Sequence, residues 1–151
     1  MGMKLGQNLK VSLPNLIMLL LSEAGGYLES ETRIHKLTFL GSKEHDIQTP
    51  ASFWWSHWGP LSSDVNKALK DLHEDGLIQI RKDTRKTAFG DEYIVNTYTI
   101  TEKGNQVAIE LREKSSSDLR SAIGALYERF GKIALSQLLN YVHTVYSADN
   151  L

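Results

Sequence analysis

The chain has 151 residues, 41% of them hydrophobic and 23% charged, enough for one folded domain with a real core. Lys plus Arg total 17 against 18 Asp plus Glu, a formal net charge of −1, which excludes coating of nucleic acid through overall basicity and leaves only local patches. Cysteine is absent, so disulfides and thiolate-bound metals are excluded, and a cytoplasmic location is expected.

The ends, "MGMKLGQ" and "SADNL", read as the disordered parts. "SLPNLIMLLLSEAGG" predicts the first helix, capped by Ser12, with Pro14 in its first turn and Gly25 and Gly26 as its stop. Leucine and isoleucine occupy almost every face, so this helix should be buried on most sides. Its apolar run, residues 16–21, is far short of the roughly 20 residues a membrane span needs. Pro14 and Asn15 interrupt any signal-peptide lead-in.

"ESETRIHKLTFLGSKEH" predicts a second helix with Ile34, Leu37 and Leu40 inward and Arg33, Lys36 and Lys43 toward solvent. "FWWSHW" has strand composition, with Phe53, Trp55 and His57 on one face and Trp54, Ser56 and Trp58 on the other. Gly59 and Pro60 should end it, because proline cannot donate to a sheet ladder. One face should be core, leaving Trp54 and Trp58, or else Trp55, partly exposed.

"LSSDVNKALKDLHEDG" is the clearest helix. Leu61, Val65, Ala68, Leu69 and Leu72 fall within an arc of roughly 100°. Ser63, Asn66, Lys67 and Lys70 lie opposite, Asp64, Asp71 and Asp75 line one flank, and Gly76 ends the helix. "LIQI" and "YIVNTYTI" then form a hairpin around the charged "RKDTRKTAFGDE". Thr101 caps a helix over "TEKGNQVAIELREK", and "SSSD" marks a break with Ser117 as the next cap. Two helices close the chain, with apolar stripes Leu119, Ile123, Leu126, Tyr127 and Phe130, then Ile133, Leu135, Leu138, Leu139, Val142 and Tyr146. Gly131 separates them.

Helix, helix, strand, helix and hairpin is the layout of a winged helix, an α+β, mainly α, fold. "DLHEDGLIQIRKD" followed by "YIVNTYTITEKG" resembles the end of the recognition helix, the wing and the outgoing helix of MarR- and PadR-type regulators. "RIHKLTFLG", the aromatic strand, "WGPLSSDVNKALKDLHEDGLI" and "LLNYVHTVY" are similar to the YwgA-like proteins and to the SocA-like (Panacea) antitoxin domain. These likenesses imply a winged-helix domain over residues 1–114 and a C-terminal helical pair over 115–151, joined in one compact unit. The fold departs from an ordinary helix-turn-helix in one respect. About fifteen residues, including the aromatic strand, replace the usual short turn between the two helices.

Ser63, Asn66, Lys67 and Lys70 carry donors suited to phosphate, and Asn66 could pair with an adenine edge; any solvated helix face shows the same pattern. Arg81, Lys82, Arg85 and Lys86 read as a basic hairpin tip, either touching duplex DNA or keeping an edge hairpin soluble. Trp54 and Trp58 could serve core packing, partner docking, base stacking or a ligand cage. Five histidines show no metal-ligand spacing, and no phosphate-cradling loop or nucleophile elbow is present, so no enzyme, cofactor or metal is expected. The terminal helices either fold back on the first helix or build a homodimer. The leading expectation is a dimeric transcriptional regulator bound to double-stranded DNA. Its rival is a protein-interaction module of antitoxin or adaptor type without DNA binding.

Overall fold

The structure, a computed structural model, describes residues 9–151. The expected disorder of "MGMKLGQ" lies outside the described residues. Five α-helices open on a serine or threonine whose hydroxyl accepts a backbone N–H of the first turn: Ser12, Ser30, Ser62, Thr101 and Ser116. Each such cap contributes about 1 kcal/mol and fixes where the helix starts. The last of these caps is Ser116, one residue before the expected Ser117.

Helix α1 (Leu13–Glu23) is the buried axis of the molecule, with Leu16, Ile17, Leu20 and Leu21 essentially inaccessible. Strand β1 (Tyr27–Glu29) follows and was not legible in the sequence, because three residues after a Gly-Gly turn carry no periodicity. Helix α2 (Glu31–Glu44) comes next, then strands β2 (Trp54–Ser56) and β3 (Gly59–Leu61), and helix α3 (Ser63–Glu74). The long strands β4 (Ile78–Lys86) and β5 (Glu92–Ile100) lead into α4 (Glu102–Lys114). Helix α5 (Ser117–Leu126), a π-helical turn (Tyr127–Gly131) and α6 (Leu135–Val145) finish the chain. The C-terminal "SADNL", expected to be disordered, carries a 3-10 turn over Ala148–Asn150 capped by Ser147.

Gly59 and Pro60 do not terminate a strand; they build one. The Trp54–Ser56 and Gly59–Leu61 segments pair antiparallel, Trp55 opposite Pro60, with His57 and Trp58 in the turn. A two-stranded ribbon tolerates Pro60 because its N–H position faces away from the single partner strand. Gly59 takes φ +89, and a Cβ there would press on the Lys36 stem.

The second sheet has the order β1-β5-β4, all antiparallel. Leu28, Ile80 and Tyr98 lie in register on the face that meets the helices. The junction between α3 and α4 explains the glycine-containing segments at both ends of the hairpin. Thr101 Oγ1 donates to Gly76 O (2.6 Å) and accepts from Gly104 N (2.9 Å), while Lys103 Nζ donates to Asp75 O (2.9 Å). A Cβ on Gly104 would overlap the Leu77 carbonyl.

The C-terminal stripes fold back on the chain itself: α5 packs on α1 and α2, and α6 packs on α2 and β3. Leu119, Ile123, Leu126, Leu138 and Val142 are all buried there. Among the described residues no helix is long and apolar enough to cross a membrane.

Candidate functional site

Helix α3 places Val65, Ala68, Leu69 and Leu72 in the core, with Leu61 half-buried just before it. Ser63, Asn66, Lys67 and Lys70 are exposed. The C-terminal helices pack on other elements, so this face stays open.

Its charges are largely compensated from within. Lys67 Nζ donates to Asp71 Oδ2 at 2.8 Å, and Asp64 Oδ2 accepts from Ser52 N at 2.9 Å, tying the aromatic loop to the helix. Over residues 63–100 the cations Lys67, Lys70, Arg81, Lys82, Arg85 and Lys86 face seven acids: Asp64, Asp71, Glu74, Asp75, Asp83, Asp91 and Glu92. Six against seven leaves this stretch at −1.

The four hairpin cations do not sit at a tip. They lie along β4, while Thr87–Asp91 forms the turn, closed by Thr87 N donating to Asp91 O at 2.8 Å. Strand alternation sends them to opposite faces. Arg81 and Arg85 occupy the outer face, where Arg81 Nε meets Asp83 Oδ1 at 3.1 Å and Arg85 Nε meets Glu29 Oε1 at 3.0 Å. Lys82 and Lys86 occupy the helix side and form no ion pair among the described residues.

Under the helix side of the hairpin runs a cleft of about 380 Å³. Its walls are Trp58 and Leu61 from the β2–β3 ribbon and Ile94 and Lys82 from the hairpin; its floor is His35 and Glu31. His35, 1% exposed, was missed by the sequence reading because a lone histidine on an apolar face gives no signal. Its Nδ1 accepts the Ser62 backbone N–H at 3.0 Å, so the proton sits on Nε2, which donates to Asn66 Oδ1 at 2.9 Å. Asn66 therefore has one acceptor lone pair already used, which weakens the two-bond adenine contact expected of it.

Glu31 Oε2 lies 3.6 Å from His35 Nε2, and Glu31 Oε1 accepts from Asn96 Nδ2 at 3.2 Å. Asn96 Oδ1 in turn accepts from Lys82 Nζ at 3.2 Å. His35 first, then Asn96 and the Lys82 charge, hold the Glu31 carboxyl below its usual range against the opposing effect of burial. The network fastens the hairpin to the start of α2 and the start of α3.

The tryptophan cluster divides as the sequence suggested. Trp55 stacks edge-on to His143 with centroids 5.6 Å apart, and Phe53 packs edge-on to Phe39 at 5.6 Å. Trp54 and Trp58 are 54% and 56% exposed, and Ile94 across the cleft is 69% exposed. The ribbon that carries them is anchored from below by Lys36. The sequence placed Lys36 in solvent; it is fully buried, its Nζ donating to Pro60 O at 2.9 Å. Arg33, also expected in solvent, is half-buried and donates to Gly131 O and Ile133 O at 3.3 and 2.7 Å, capping the π-helical turn. Helix α2 meets the β2–β3 ribbon and α6 as well as the core, so it has no free polar face of the expected width.

No protein-family model, no curated protein and no solved structure matches this chain. The molecule is an α+β protein.

Proposed function

We propose that this chain is a winged-helix-type module that binds a protein partner, of the antitoxin or adaptor kind. In this reading β4–β5 is the wing and α3 stands where a recognition helix would. The observation that carries the proposal is the pair of tryptophans, Trp54 and Trp58, each more than half exposed on a pinned two-stranded ribbon, with Trp58 facing Ile94 across a cleft. Exposed aromatic and aliphatic side chains grouped around one depression are the composition of interface centres rather than of inert surface. The −1 charge of residues 63–100 also argues against a surface built for phosphate.

The test is affinity purification of the tagged chain from its native host. One stoichiometric protein should accompany the wild type and be lost from the W54S/W58S variant, provided circular dichroism shows that the variant folds. Equal recovery with both chains would remove the tryptophans from the account.

A second reading is kept by one specific feature. The face bearing Ser63, Asn66, Lys67 and Lys70 is open, and Lys82 and Lys86 project from the same side of the sheet. As a transcriptional regulator the chain would bind duplex DNA there, with affinity falling steeply as salt rises. A homodimer would give that reading two half-sites about one helical turn apart. Titration of a mixed-sequence 24-mer duplex at low salt separates the two readings: binding that K67E/K70E abolishes favours DNA, and no binding favours the partner.

A further inference from the structure

We infer that the partner adds an acidic strand to the outer edge of the hairpin, along β4; this rests on the protein-partner reading above. The sheet order β1-β5-β4 gives β4 a neighbour on one side only. Which of its backbone groups are left over follows from the bonds at the two ends of the hairpin. Thr101 N donates to Leu77 O at 3.0 Å, and Thr87 N donates to Asp91 O at 2.8 Å. Both bonds share the register that pairs Ile78 with Ile100 and Lys86 with Glu92. Backbone groups of one residue in an antiparallel strand point to the same side, and alternate residues point to opposite sides. Odd-numbered residues of β4 therefore address β5, and even-numbered residues face outward. The root of the strand agrees, since His73 Nδ1 on α3 donates to Ile78 O at 3.2 Å on the outward side.

Further along, the edge is bare. Among the described residues no backbone group bonds the outward N–H or C=O of Lys82, Thr84 or Lys86. Arg85 Nη1 meets Thr84 O at 3.3 Å, which leaves that carbonyl a second lone pair. Lys82, Thr84 and Lys86 are exposed. The register with β5 runs unbroken and β4 holds no proline, so neither a bulge nor a missing donor blunts the edge. This is the backbone template that peptide-binding sheets use.

Charge selects the occupant. A strand laid beside β4 meets the side chains of β4 first, about 5 Å away: Arg81, Lys82, Arg85 and Lys86 against Asp83 alone. Glu92 on β5 and Glu29 on β1 lie at least one strand further in, about 10 Å or more from the added chain, where salt screens them. On the outer face Arg81 and Arg85 are held by Asp83 and Glu29, whereas Lys82 and Lys86 on the helix side form no ion pair among the described residues. A second copy of this edge does not fit. With the two-fold axis at Arg81, Lys82, Asp83 or Arg85, that residue meets its own charge, and with the axis at Thr84, Lys82 meets Lys86. The occupant that fits is an antiparallel strand of another protein, with Glu or Asp opposite Lys82 and Lys86 and uncharged residues on its other face.

The probe is the peptide Ac-TETVTET-NH2, titrated into the full chain labelled with 15N. With its Val opposite Thr84, the two Glu fall opposite Lys82 and Lys86, and the Glu and Val amides point at β4 while the Thr amides point away. Saturable shifts and slowed hydrogen exchange are expected at the Lys82, Thr84 and Lys86 amides, with little change in exchange at Asp83 and Arg85, whose amides already bond β5. N-methylation of the Glu and Val amides should weaken binding at least about tenfold, whereas N-methylation of the Thr amides should not. T84P deletes one outward donor without touching a bond to β5 and should weaken binding similarly. K82E/K86E should reverse the preference, taking Ac-TKTVTKT-NH2 over the acidic peptide. No saturable binding up to about 1 mM overturns the inference. Binding that ignores both N-methylation and T84P but is lost with K82E/K86E is charge contact alone and also overturns strand addition. In either case, capture of a protein by the wild type and not by W54S/W58S leaves the protein-partner reading standing.

Discussion

Lys36 Nζ sits 2.9 Å from the carbonyl oxygen of Pro60, and the lysine has no solvent access. One backbone acceptor serves three ammonium protons, and no carboxylate pairs with it among the described residues. Burial pulls its amine from 10.5 down to about 8. The bond nevertheless pins the β2–β3 ribbon, and with it Trp54 and Trp58, to α2.

This predicts an unusual alkaline gain in stability. Below pH 8 both folded and unfolded chains carry the charge, and the folded state bears its full desolvation cost. Between about 8 and 10.5 the folded amine loses its proton first, so stability rises with pH, by roughly 3 kcal/mol at most. Urea melts at pH 7.5, 8.5 and 9.5, below the range in which the buried tyrosines titrate, should show stability rising in wild type and no such rise in Lys36→Met. A flat wild-type profile would mean that water reaches the amine.

Gly104 predicts a packing limit at the root of the hairpin. Gly104→Ala forces a methyl against the Leu77 carbonyl and the Ile100 side chain. The cost should be about 1–3 kcal/mol, typical of overpacking, despite the better helix propensity of alanine. The Tm should fall, with the hairpin amides of residues 77–79 losing hydrogen-exchange protection first.

Glu44 joins the end of α2 to the C-terminal helices. Its Oε2 accepts from the hydroxyls of Tyr141 and Tyr146, both at 2.6 Å, and its Oε1 meets Arg129 Nη1 at 2.7 Å. Burial opposes the charge, but the two hydroxyls and the guanidinium outweigh it and hold the carboxyl below its ordinary value. The stability this contributes is present at neutral pH and lost as pH falls through the lowered folded value. Glu44→Ala should cost about 1–3 kcal/mol at pH 7 and much less near pH 3, measured by denaturant melts.

The split of the hairpin cations predicts unequal effects of charge reversal. R81E acts on the outer face and should leave capture of the protein partner unchanged, while K82E, in the cleft wall, should weaken it. For duplex DNA gripped by the whole hairpin, the two reversals should weaken binding alike and lower the salt slope by about one unit each. Equal effects on partner capture would place the partner's site elsewhere.

What the sequence determined by itself were the features written in local chemistry. The Ser and Thr caps, the 3.6-residue spacing of Val65, Leu69 and Leu72, and the glycine at 76 each set a boundary through bonds made within one or two turns. Those signals were enough for the order of the helices and for the long hairpin. The exposure of Trp54 and Trp58 was also legible, as one of two ways to divide the aromatic run.

Tertiary structure decided the rest, because it depends on which strand or helix comes to lie beside which. Lys36 looks like a solvent residue until α2 is packed beneath Pro60. The four cations of residues 81–86 look like one patch until the pleat sends two to each face. His35 is an ordinary histidine until the starts of α2 and α3 meet and both ring nitrogens find partners. Likewise β4 is an open edge only because β1 takes the far side of β5. A contact between residues 30 and 96 leaves no pattern along the chain, since pairing across that separation is fixed by the assembled core and not by neighbours in sequence.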